Sequence, residues 1–353
     1  MKIIDCDSHF FPPTVFDNVA EQYKQFVPKY EFDSNEKVTK ITFDNDPIKI
    51  NYNTTEPINN HCLLPGISSI KNRLEYLNSY GIDQQFLGPQ EYVMRFNSSV
   101  EKNLAAEMAH SFNIEIKKII DTYPKRFFSA AMVATQNIEL ALKEIDWAIK
   151  NNYKSIYIDC VFIDEIEKRS RPLSAIKDID LLFDKCEKNN INIYVHSAMH
   201  WTKVLQEYNL KYKSIHKKDY LRMEELLIYD LITSGLLDRF PKIKIIIGEV
   251  WNEMVVSCYK NLKEQYILNC KQDPLHYFKN NLYITLDIEK TEALNFMITE
   301  FGSDRLLFST DYPHEDTFGK NKFNDVEDLK KSILSIQDLE NIAYRNAEKL
   351  FGL

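Results

Sequence analysis

The chain has 353 residues, 44% of them hydrophobic and 27% charged, enough for one large buried core or two ordinary ones. Its formal net charge of −8 argues against a surface that grips a phosphate backbone, and its lysines, as in "IKNNYK" and "HKKDY", are dispersed among acids as solvated faces. The six cysteines (Cys6, Cys62, Cys160, Cys186, Cys258, Cys270) include no C-x-x-C pair, so they read as free, mostly buried thiols of a reducing compartment rather than a zinc or disulfide framework.

The N-terminus has no basic segment followed by an apolar run, and no stretch approaches 18 uninterrupted apolar residues. A cytoplasmic protein without a membrane span or nucleic-acid partner is expected.

In chain order, "KIID" (2–5) reads as a buried strand, and Asp5, Asp7 and His9 follow at alternate positions. Alternate residues of an extended segment point to one side, so Asp7 and His9 project together if the strand runs on. A carboxylate beside an imidazole suits a metal half-site, an acid–base pair or an ordinary turn. Residues 17–66 are rich in Asn, Asp, Pro, Thr and Lys, with a hairpin-like "KVTKITFDNDPIKINY", and read as an insertion after the first strand.

"SSIKNRLEYLNSYGID" has helical spacing and ends on Gly81, a C-cap signal, before the strand "QQFLG" (84–88). A longer helix, "SVEKNLAAEMAHSFNIEIKKIIDTYP", stops before Pro124 and precedes "RFFSAAMV" (126–133). "IELALKEIDWAIKNN" leads to "SIYID" (155–159), and "DIDLLFDKCEKNN" to "INIYVH" (191–196). A long loop is expected over 198–222, then the helix "EELLIYDLITSGLLDRFP" and the strand "KIKIIIGE" (242–249). "LYITLD" (282–287), the helix "TEALNFMITEFGSD" and "RLLFSTD" (305–311) complete eight strand runs.

Several runs are almost continuously apolar, as in a parallel sheet covered on both faces. Strand–helix alternation with eight strands predicts a single α/β domain over 1–353, a (β/α)8 TIM barrel with an insertion after strand 1. An open doubly wound sheet is the alternative, but no G-x-G-x-x-G follows a strand. In such a barrel the reactive groups sit at the C-terminal strand ends. Those positions carry Asp7 and His9, His196, Glu249, Asp287 and Asp311. Two imidazoles and two carboxylates from strands 1, 5 and 8 suit one divalent cation, zinc or manganese.

"DCDSHFFPP", "YVHSAMH", "FSTDYPHED" and "IAYRNAEKLFGL" together resemble the amidohydrolase-related family, which includes aminocarboxymuconate semialdehyde decarboxylase. The resemblance runs over nearly the whole chain in the family's motif order. It implies a metal-dependent (β/α)8 barrel with Asp7, His9, His196 and Asp311 as metal ligands, Asp311 also handling the reacting proton. Many members begin with His-x-His or Glu-x-His, where this chain has Asp7. Many decarboxylases of the family place a histidine and glycines after strand 6, where this chain has "GEVWNEM" with Glu249.

That missing histidine favours a hydrolase of an amide, ester or lactone bond in a small aromatic or cyclic carboxylate, with Asp311 as base, His196 and Glu249 assisting, and a metal-activated water as nucleophile. A non-oxidative decarboxylase of an aromatic or unsaturated acid is the alternative, and a non-catalytic ligand-binding barrel the second. His200, Trp201, His314, Tyr92 and Phe96 are expected around the substrate; Glu249 is expected in the pocket, facing water or pairing with Arg73. His61 could reach the mouth, while His110, His216 and His276 are assigned no function. The family analogy makes a homodimer the expected assembly.

Overall fold

The strand "III" at 245–247 is apolar at every position because its two faces meet two different cores. Ile245 and Ile247 pack beneath the helices with Ile193, Val195, Ile284 and Phe308, whereas Ile246 turns the other way with Tyr194, Tyr283 and Leu307. The computed structural model describes residues 1–17, 19–27, 29–34, 38–42, 65–90, 102–163, 170–196, 216–248, 250–264, 270–286, 288, 291–313 and 324–353.

The chain opens with β1 (Ile4–Asp5) and β2 (His9–Phe10), then an antiparallel pair, β3 (Lys29–Phe32) and β4 (Val38–Thr42). Helix α1 (Ile70–Tyr80) leads to β5 (Gln84–Phe86) and β6 (Gly88–Pro89), and α2 (Lys102–Thr122) to β7 (Phe127–Phe128) and β8 (Ala131–Met132). Helix α3 (Ile138–Lys150) precedes β9 (Ser155–Asp159) and a second antiparallel pair, β10 (Val161–Ile163) and β11 (Ser170–Pro172). Next come α4 (Ile179–Lys188) and β12 (Asn192–His196), then α5 (His216–Thr233), α6 (Leu236–Arg239) and β13 (Ile245–Ile247). Helices α7 (Asn252–Glu264) and α8 (Pro274–Asn280) precede β14 (Leu282–Leu286), and α9 (Thr291–Phe301) precedes β15 (Leu306–Phe308). Helices α10 (Asn324–Lys331), α11 (Ile336–Glu340) and α12 (Asn346–Phe351) follow.

Each of the eight apolar runs therefore holds a strand. They pair in parallel as β1-β5-β7 and as β15-β14-β13-β12-β9-β8, with β7 and β8 lying in the single run "RFFSAAMV". At the other border Cys6 N donates to Phe308 O at 2.8 Å, tying β1 to β15. Inside these strands Ile4, Cys6, Phe86, Phe128, Tyr157, Tyr194, Ile246, Tyr283 and Leu307 form one cluster with Ala347, Leu350 and Phe351 of α12. Phe351 lies 4.8 Å from the Phe128 ring and 6.1 Å from Phe86. Each such aromatic removed from water contributes roughly 1.5–3 kcal/mol.

The caps follow the chemistry of the ends. Ser69 Oγ accepts from Asn72 N at the start of α1, and Gly81 ends it at φ 72°, a left-handed position that a Cβ disfavours. One expectation is corrected and another is met only in part by described residues. Val38–Thr42 pairs antiparallel with the upstream "KYEF" of β3, and the downstream half of the expected hairpin, from residue 43 on, lies outside the described residues. The connection expected over 198–222 gives way to helix at His216, so 216–222 belong to α5. Of the cysteines, Cys6, Cys160, Cys186 and Cys258 are buried free thiols and Cys270 is a half-buried one. Among the described residues no helix is long and apolar enough to cross a membrane.

Away from the strand ends, His110 Nδ1 lies 2.9 Å from Glu144 Oε2, and Glu144 Oε1 accepts from Asn113 Nδ2 at 2.8 Å. Asn113 bonds both the N–H (2.7 Å) and the carbonyl (2.8 Å) of Met132 in β8. The bond to Glu144 raises the His110 pKa despite its partial burial. A raised folded-state value means the protonated imidazole stabilises the fold: the contribution is fully present below the ordinary value of about 6.5 and is lost as pH rises through the raised one. His110→Gln should therefore flatten the melting temperature against pH above about 6.5, as thermal denaturation across that range would read.

Candidate metal centre

The polar cluster after β1 is extended but not one continuous strand. Residues Cys6–Ser8 separate β1 from β2, yet the backbone stays zipped between the same neighbours. Gly88 N donates to Ser8 O (2.8 Å) on one side; Asp311 N donates to Asp7 O (2.9 Å) and His9 N to Tyr312 O (2.7 Å) on the other. Asp7 and His9 thus remain on one side, as alternation predicts, and both are buried.

Three groups converge there. One ligand atom each from Asp7, His9 and His196 lies within 4.8 Å of the other two. His196 Nε2 is 3.9 Å from Asp7 Oδ2, and the His9 and His196 rings meet edge to face at 4.9 Å. His9 Nδ1 contacts the Pro89 carbonyl at 2.9 Å. A carbonyl only accepts, so Nδ1 carries the hydrogen and Nε2 presents its lone pair to the centre. Asp311 Oδ1 stands 3.0 Å from that Nε2. Burial presses the His9 imidazole towards neutrality, but the Asp311 bond and the charges of Asp311 and Asp7 outweigh it and raise the pKa.

Asp311 sits at φ 53°, in left-handed backbone that Asp and Asn tolerate better than other L residues. Its side chain is 14% exposed, against 1% for those of Asp7 and His196. His196 ends β12, its ring stacked on Tyr157 at 5.8 Å, and Gly248 lies against its other flank, where a Cβ would fall 2.7 Å from His196 Cδ2.

The donor set fits a divalent ion. Ligands sharing one ion at about 2.1 Å are separated by about 3–4 Å, the range spanned by the 3.0 and 3.9 Å contacts. Imidazole nitrogens with carboxylate oxygens suit manganese or zinc.

Other groups supporting this centre are not evident from the strand ends. Asp5 is fully buried and accepts from Gln85 Nε2 (2.7 Å), Thr310 Oγ1 (2.6 Å), Thr310 N (3.0 Å) and Asp7 N (3.3 Å); burial pushes its pKa up to about 6. Glu249, one of whose expected partners was Arg73, lies outside the described residues, and Arg73 directs its guanidinium to Gly66, Ser8, Gln85 and His9. Its signal was present in the sequence: a cation at i+3 between Ile70 and Leu77 sits on the buried stripe of α1. Glu249, Asp287, His200, Trp201, His314, Tyr92, Phe96 and His61 lie outside the described residues.

A family profile described as Amidohydrolase matches residues 4–353. The chain belongs to that family. Among curated relatives, this amidohydrolase is 23% identical over 313 residues to the gamma-resorcylate decarboxylase of Polaromonas sp. (strain JS666), covering 80% of this chain and 86% of the relative. It is 22% identical over 293 residues to the enzyme of the same name from Rhizobium sp. (strain MTP-10005), with the same coverage. Among solved structures, 2,6-dihydroxybenzoate decarboxylase complexed with 2,6-dihydroxybenzoate matches at TM-score 0.74 and 17% identity over 100% of both chains. Dihydroxybenzoic acid decarboxylase from Polaromonas sp. JS666, with bound manganese and the inhibitor 2-nitroresorcinol, matches at TM-score 0.72 and 18% identity over 100% of this chain and 97% of that one.

These relatives correct the hydrolase expectation. They are decarboxylases, the alternative that the missing strand-6 histidine had pushed into second place. The physical reason is that a buried Asp-His-His cluster able to hold a divalent ion does not by itself choose which bond is cleaved.

Proposed function

We propose that this amidohydrolase is a metal-dependent, non-oxidative decarboxylase of a hydroxylated aromatic acid. One observation carries the reading: buried ligand atoms of Asp7, His9 and His196 within 4.8 Å of one another, with Asp311 3.0 Å from His9, in a chain whose decarboxylase relatives span 80% of it. Asp7, His9, His196 and Asp311 would hold one divalent ion, and manganese is the ion named for the Polaromonas structure. When bound, that ion supplies positive charge that holds the substrate carboxylate and a neighbouring hydroxyl.

The chain's own residues handle the proton. Asp311, the most exposed of the four, takes a proton from solvent and delivers it to the ring carbon that bears the carboxylate. The electron pair of the breaking C–C bond returns to the ring as carbon dioxide leaves, and the ring keeps the proton. The Pro89 carbonyl orients His9, whose Nε2 stands 3.0 Å from Asp311 Oδ1. On the same reading the Cys6–Phe308 bond and the shared run of β7 and β8 close the strands into one (β/α)8 barrel.

The test is direct. Chelator-stripped protein reloaded with manganese should release carbon dioxide and 1,3-dihydroxybenzene in equal amounts from 2,6-dihydroxybenzoate; binding of hydroxybenzoates without carbon dioxide release would sink the reading. Stripping alone should lower the melting temperature, and manganese at a hundredfold excess over its Kd should restore about 2.7 kcal/mol, read by thermal denaturation with and without chelator.

A further inference from the structure

Arg73 heads the fully buried side chains by volume, and a guanidinium in that setting is costly unless its donors are used. Nε donates to the Gly66 carbonyl at 2.9 Å, Nη1 to Ser8 Oγ at 3.2 Å and Gln85 Oε1 at 3.0 Å, and Nη2 to the carbonyl of His9. Gln85 Nε2 passes the contact on to Asp5 Oδ2 (2.7 Å), which takes the Thr310 hydroxyl at 2.6 Å. The guanidinium also lies 4.2 Å from the Tyr312 ring centre and 5.5 Å from that of Phe10. Tyr76 backs Tyr312 at 4.0 Å, and at Gly66 a Cβ would fall 2.1 Å from the Tyr312 hydroxyl, so the stack has little slack.

One side chain therefore holds the peptide that carries His9 and, by two routes, both neighbours of Asp311. We propose that Arg73 is a positioning residue that sets the spacing between His9 and Asp311, and with it the affinity of the centre for its ion; this rests on the metal reading above. The planar fork serves both segments at once, which a lysine, a point charge on a flexible stem, does not.

The experiment is calorimetric titration of chelator-stripped full-length protein with manganese chloride, alongside thermal melts. Arg73→Lys should lose about 10–100-fold in manganese affinity. Leu77→Ala, a buried apolar truncation in the same helix, should lower the melting temperature yet keep manganese affinity within about twofold of wild type. If Arg73→Lys does not fold, Gln85→Met, which keeps the volume but cuts the link to Asp5, should weaken manganese several-fold in the same direction. Wild-type affinity in the folded Arg73→Lys or Gln85→Met protein, or an equal loss in Leu77→Ala, would overturn the role of Arg73 alone. A wild-type chain that takes up no manganese would overturn the metal reading and this inference with it.

Discussion

Asp311→Asn should slow carbon dioxide release by about 10³-fold, the scale of a lost general acid, with the fold intact. Asparagine is the informative substitution because Asp311 sits at φ 53°, which Asn also tolerates, whereas alanine adds backbone strain of about 1 kcal/mol or more. The amide keeps an oxygen near His9 Nε2 but holds no acidic proton for the ring carbon. Activity should be measured at saturating manganese with affinity checked separately, so that weaker metal binding is not read as lost proton transfer. A variant within tenfold of wild type would place the transferred proton on another group.

The second large effect belongs to Gly248→Ala. The added methyl would lie 2.7 Å from both His196 Cδ2 and Tyr194 Cε1, and 3.1 Å from the Tyr194 hydroxyl oxygen. Neither ring can retreat. Tyr194 packs against both Phe86 (4.7 Å) and Tyr157 (5.3 Å), and its hydroxyl donates to Cys6 O at 3.0 Å. Overpacking of this kind costs about 1–3 kcal/mol, and the displaced imidazole should bind manganese at least about tenfold more weakly. Gly302→Ala is the matched control: at φ 83° it is strained, but nothing lies within 4 Å of its Cβ, so it should lose stability and leave metal affinity alone. Equal affinities in the two variants would separate His196 from the centre.

The strands were legible because a sheet buried on both faces needs apolar residues at consecutive positions, and "SIYID" and "LYITL" declare that locally. That Asp7, His9 and His196 come together was legible for a related reason: alternation and strand ends place these side chains before the fold is known. Asp5, Gln85 and Thr310 were not, since a buried polar group is chosen by its partner, and those partners lie up to 305 residues away. The pairing of Val38–Thr42 with "KYEF" was missed because that run alternates too briefly to stand out locally. The bond to be cleaved was misjudged from the single position Glu249, whereas the relatives matched over 80% of the chain are decarboxylases.

The seam between β1 and β15 has a consequence for biosynthesis. Asp7 and His9 emerge from the ribosome early, but Asp311 and the Phe308 carbonyl that grips Cys6 come some three hundred residues later. On the proposed ligand set, a growing polypeptide would not assemble the complete coordination shell before Asp311 is made, so uptake of the ion would mark a finished fold, and a chain cut short before Asp311 would stay without its full ligand set however rich the medium is in the ion.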